Sequence, residues 1–110
     1  MYVYDQANIL AKTIKESKEY LEYKKAKEDL KGNPELKTKI DEFEKIRYEV
    51  QVASFQGLEQ DEEKQKKLQQ MYQILMQDAK IKEFYDIEVR FNIMLADVNR
   101  IISESVKDLL

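Results

Sequence analysis

The sequence predicts an all-α protein: an elongated antiparallel bundle of about five helices, long in its third and last members, that self-associates. Three observations predict it. The 110 residues are 37% charged and include only two Gly and one Pro, so the chain is built from good helix formers with few breakers. Its apolar residues, 43% of the total, recur every three or four positions. Turn chemistry is confined to a few points, around Ser17, Gly32-Asn33-Pro34, Gly57 and Asp78. The connections are therefore short and neighbouring helices run antiparallel. The length suits one domain, residues 1–110.

The first helix is predicted over about 4–15, where Val3, Ala7, Leu10 and Ile14 trace one apolar stripe at helical spacing. Ser17 can cap a new helix through its side-chain oxygen. The second helix, 18–31, has a weaker stripe of Tyr20, Tyr23, Lys27 and Leu30, with Leu21 and Ala26 at its margins. That makes it a peripheral element. Gly32-Asn33-Pro34 is the clearest punctuation in the chain. Gly32 suits the left-handed position after a helix end, Asn33 a cap, and Pro34 the first helical position, where a missing N–H costs nothing.

The third helix, 34–56, presents Leu36, Ile40, Phe43, Ile46, Val50 and Ala53 on one face. Gly57 marks the next turn, followed by the connection Leu58-Glu59-Gln60-Asp61, with Asp61 or its neighbours as cap. The fourth helix, 62–77, carries Leu68, Met71, Tyr72, Leu75 and Met76, and its first two turns are almost wholly polar and therefore exposed. Asp78 is a good cap for the last helix, 79–108. Asn33-Pro34-Glu35-Leu36-Lys37 and Asp78-Ala79-Lys80-Ile81-Lys82 open the two long helices in similar fashion; shared cap chemistry explains this better than a repeat. The third to fifth helices form the core, and the first two fold across part of it.

The last helix is the most informative element. Phe84, Phe91 and Val98 lie seven apart; so do Ile87, Met94 and Ile101. Ile81, Leu95, Ile102 and Leu109 form a third line, broken once by Glu88. These lines merge into one broad band. Residues 81–109 at 1.5 Å each span roughly 43 Å, longer than a small domain is wide. A chain this short leaves part of such a band for a neighbour. The interface residues expected are Phe84, Ile87, Phe91, Met94, Leu95, Val98, Ile101 and Ile102, and two-fold pairing, as a homodimer or a dimer of dimers, is the simplest way to cover them. Arg90, Asn92, Asp97, Asn99 and Arg100 punctuate the helix beside the band.

The absences bound the chemistry. There is no Cys, hence no disulfide, thiolate nucleophile or cysteine-held cluster, and no His, the commonest general base and transition-metal ligand. The two Gly are isolated, so there is no phosphate-cradling loop. No catalytic, metal or cofactor residues are expected, and the chain reads as a non-enzyme. A further alternative is a metal-dependent hydrolase using carboxylates alone: Asp41, Glu42, Glu44 and Glu49 lie on one helix, where Glu42 and Glu49 can share a face, a spacing common on any solvated helix. A net charge of −3 argues against a nucleic-acid binder; the alternative of direct RNA binding would rest on Lys24, Lys25, Lys27, Lys64, Lys66 and Lys67. No apolar run is long enough for a membrane helix, and the first residues lack the basic start and apolar core of a signal peptide, so a cytoplasmic protein with no membrane partner is expected.

Several stretches, taken in order, carry a resemblance. They are Ala7-Asn8-Ile9-Leu10-Ala11-Lys12-Thr13-Ile14-Lys15-Glu16-Ser17, Glu19-Tyr20-Leu21-Glu22-Tyr23-Lys24-Lys25-Ala26, Asn33-Pro34-Glu35-Leu36, Gln56-Gly57, Ile81-Lys82-Glu83-Phe84 and Leu95-Ala96-Asp97-Val98-Asn99-Arg100-Ile101-Ile102-Ser103-Glu104. Their order and spacing over the whole chain resemble the YlbF/YmcA family of small bacterial helical proteins, YheA-type members included. The resemblance implies a self-associating helical bundle and a cytosolic accessory protein, with other family members or a regulatory complex as partners. Some members act in a complex that influences competence, sporulation and biofilm formation through messenger RNA processing. Certain members of that complex are associated with iron–sulfur clusters held by cysteines; this chain has none, so that role is not carried over.

Overall fold

The computed structural model describes residues 2–59 and 61–110; Gln60, in the connection before the fourth helix, lies outside them. Five helices follow one another: α1 Tyr2–Glu16, α2 Lys18–Lys31, α3 Pro34–Phe55, α4 Glu62–Met76 and α5 Ala79–Ser105. Among the described residues there is no strand. The protein is all-α.

Local side-chain chemistry sets most of the boundaries. The Ser17 hydroxyl accepts from the Tyr20 N–H at 3.2 Å and donates to the Ile14 carbonyl at 2.6 Å, ending α1 and starting α2. The Asn33 Oδ1 accepts from the Leu36 N–H at 3.3 Å, with Pro34 in the first turn. Asp61 accepts from the N–H groups of Glu63 and Lys64, and Asp78 from those of Lys80 and Ile81. Each bond accepted by a capping side chain satisfies an amide that the helix itself leaves open.

Gly32 departs from expectation. Among the described residues the one positive φ belongs to Gly57, at 68°. Gly32 and Asn33 instead close α2 with two tight bonds, to the carbonyls of Asp29 at 3.1 Å and Leu30 at 3.0 Å. Pro34 holds the residue before it away from helical geometry, and Asn33 takes φ −129° and ψ 85°, so the chain turns there without a left-handed residue. Gly57 provides the left-handed closure at the end of α3, where the Leu58 N–H reaches back to the Ala53 carbonyl at 3.0 Å. At the far end α5 stops at Ser105, three residues short of its expected end. The Ser105 hydroxyl donates to the Ile102 carbonyl at 2.6 Å, and Val106 and Leu109 close tighter turns behind it.

The chain divides into two compact units, residues 29–83 and residues 1–28 with 84–110. The first holds α3, α4 and the start of α5. Its core is Ile40, Phe43, Leu75 and Ile81, the last only 1% exposed. Tyr72 lays its ring 6.2 Å from that of Phe43, and Lys64 pairs with Glu49 across the α3–α4 hairpin at 3.4 Å. Burial of each large apolar side chain is worth roughly 1.5–3 kcal/mol, so these four carry much of the unit. The second unit holds α1, most of α2 and most of α5. None of its described residues is buried.

Candidate functional site

The apolar band of α5 divides in two along its length. Its first half meets α2. The Tyr23 ring lies 6.1 Å from Phe84 and 5.2 Å from Phe91, and the Tyr20 ring 6.4 Å from Phe91. The Tyr23 hydroxyl donates to Glu88 Oε2 at 2.8 Å, Arg90 pairs with Glu22 at 3.6 Å, and the Lys27 ammonium sits 4.9 Å above the Tyr23 ring. Glu88, which interrupts the third apolar line, thus has a structural task. It accepts the phenol that lets a tyrosine-rich helix lie on a phenylalanine-rich one.

Beyond Val98 the cover thins. Phe84, Ile87, Phe91, Met94, Leu95 and Val98 are all half-buried, whereas Ile101 is 62% and Ile102 53% exposed. The eight predicted residues are therefore one continuous face, six of them partly sheltered by their own chain and two bare. Three residues of the face, Met94, Val98 and Ile101, line an open groove of about 440 Å³ together with Glu19, Arg90 and Asp97. Ile93 lines the same groove and is 56% exposed.

Three of the four carboxylates considered as metal ligands form ion pairs. Asp41 pairs with Lys37 at 2.8 Å, Glu44 with Arg47 at 3.1 Å and Glu49 with Lys64 at 3.4 Å. Among the described residues no three His, Cys, Asp or Glu side chains are grouped so as to hold a metal ion, and no helix is long and apolar enough to cross a membrane. Of the six lysines considered for RNA, Lys64 is tied to Glu49 and Lys27 to the Tyr23 ring.

With this arrangement in hand, comparison with known proteins places the chain. A family model described as "Control of competence regulator ComK, YlbF/YmcA" matches residues 3–107. The chain belongs to the YlbF/YmcA family. Relatives of this chain include a UPF0342 protein of Symbiobacterium thermophilum, 38% identical over 104 residues that cover 94% of this chain and 93% of that one. A UPF0342 protein of Caldicellulosiruptor saccharolyticus is 36% identical over 104 residues, 94% of this chain and 87% of its own. Among solved structures, a protein of unknown function (DUF964) from Bacillus stearothermophilus superposes with a TM-score of 0.86 over 99% of this chain and 96% of its own. At 17% identity that likeness establishes the fold. YlbF/YmcA proteins are thus linked by description to control of a competence regulator, and no enzyme name occurs among the relatives cited.

Proposed function

We propose that this YlbF/YmcA protein is a non-catalytic, cytoplasmic interaction protein that works as a helical homo-oligomer, docking through the α5 face formed by Phe84, Ile87, Phe91, Met94, Leu95, Val98, Ile101 and Ile102. One observation carries the reading: Ile101 and Ile102, adjacent in sequence, are 62% and 53% exposed at the end of a face whose other members are only half-covered. Soluble monomers seldom expose a contiguous apolar patch beyond a few hundred Å². A two-fold mate laid along α5 would bury it, because each copy presents the same strip to the other. A regulatory role in competence control fits the family description, and a homo-oligomer gives such a protein a symmetric platform for its partners. The chain has neither His nor Cys, the commonest general base and the most readily activated nucleophile, which supports a non-catalytic reading.

Light scattering on the purified protein tests the reading. The expected mass is an integer multiple, two or four, of the 13.2 kDa chain, and Ile101→Glu lowers it while leaving helical content intact. A wild-type protein that stays at the single-chain mass through tens of micromolar overturns it.

A further inference from the structure

α1 is amphipathic, and its apolar stripe grows barer toward its start. Ile14 is half-buried, Leu10 36% exposed, Ala7 exposed and Val3 61% exposed. No described residue of this helix is buried. The stripe is not a general sticky surface. Val3, Ala7, Leu10 and Ile14 follow the alternating four–three spacing of a coiled-coil seam, with Leu10 and Val3 at one seam position and Ala7 and Ile14 at the other. The positions flanking that seam are Tyr4, Gln6, Ala11 and Thr13, all uncharged. The four charges of the helix, Asp5, Lys12, Lys15 and Glu16, lie on its remaining faces.

We infer that α1 pairs antiparallel with α1 of a second copy of this chain, across a two-fold axis level with Asn8 and Ile9. In an antiparallel pair each residue at one seam position meets its counterpart at the other. Val3 then faces Ile14 of the second copy, and Ala7 faces Leu10 of the second copy. Both layers join a smaller side chain to a larger one, and the two remaining layers repeat them by symmetry. Neutral flanks meet neutral flanks, so no like charges are brought together and a charged partner helix would gain nothing there. Thr13 keeps its hydroxyl on the Ile9 carbonyl at 2.9 Å and brings no unsatisfied donor into the contact. Two helices of 15 residues bury roughly half of the ~800 Å² per partner that a standard interface needs. The α1 contact therefore works together with the α5 contact and rests on the self-association proposed above, adding a second two-fold interface on the same unit.

The chain has no cysteine, which allows a register-specific test. Full-length Ala7→Cys and Leu10→Cys chains are co-expressed, purified together and oxidised, alongside each variant alone. The expected result is at least several-fold more covalent dimer from the pair than from either variant by itself, because Ala7 meets Leu10 and not its own copy. Equal or negligible crosslinking in all three samples, with a wild-type mass that is still oligomeric, overturns the α1 pairing and leaves the α5 reading standing; a monomeric wild type removes the α5 reading itself, and the α1 pairing that rests on it. As a second readout, Leu10→Glu with unchanged helical content is expected to reduce the mass by one association step; an unchanged mass overturns the pairing.

Discussion

Phe43 and Phe91 sit on the apolar faces of the two longest helices, and their surroundings are opposite. Phe43 is 4% exposed, within the 29–83 unit and with the Tyr72 ring of α4 6.2 Å away. Phe91 has two tyrosine rings within about 6.4 Å and is still only half-buried. The first unit packs three helical segments around four buried side chains. The second consists mainly of helices with one shared seam, which leaves each an apolar flank without cover. With none of its described residues buried, this unit leaves apolar surface exposed, and the proposed docking face lies there. One unit stabilises the fold, and the other supplies the surface on which the functional reading depends.

That contrast can be broken most directly at Phe43. Phe43→Ala is expected to destabilise the protein by about 3–5 kcal/mol, the cost of removing a large side chain from a site that collapses poorly. Urea unfolding followed by circular dichroism measures it, and a loss below about 1 kcal/mol would mean that the 29–83 unit has no tighter core than its neighbour. The next effect is smaller and sharpens the account of the α2–α5 seam. Tyr23→Phe keeps the ring against Phe84 and Phe91 but removes the donor to Glu88. The same measurement should show a loss of about 1 kcal/mol. The smallest concerns Arg90, half-exposed and 3.6 Å from Glu22. Arg90→Ala should change stability by less than about 1 kcal/mol, and still less in high salt, as for other solvent-exposed pairs. A larger loss would show that this ion pair is more shielded from solvent than its exposure in the single chain implies.

Several features of the fold were legible in short stretches of sequence for a definite reason. The caps at Ser17, Asn33, Asp61 and Asp78 act on amides two or three residues away, so the interaction is complete within the stretch that is read. The core face of α3 was equally legible, since Ile40 and Phe43 share a helix side by spacing alone. Gly32 misled because the residue type favours a left-handed closure, while its neighbour Pro34 demanded something else. Glu88 looked like a flaw in an apolar line because its partner Tyr23 is 65 residues away. Ile93 was invisible as part of a groove because a groove needs two elements.

Helical class, element order and the amphipathic lines of α1, α3 and α5 were determined by the sequence by itself, through hydrogen bonds and spacings that act within one or two turns. Which lines are sealed and which stay open was decided only by the tertiary structure. Ile81, on the same helix as Ile101, is 1% exposed against 62%. Burial depends on what packs opposite a side chain, and a side chain's own spacing along the helix carries no information about that.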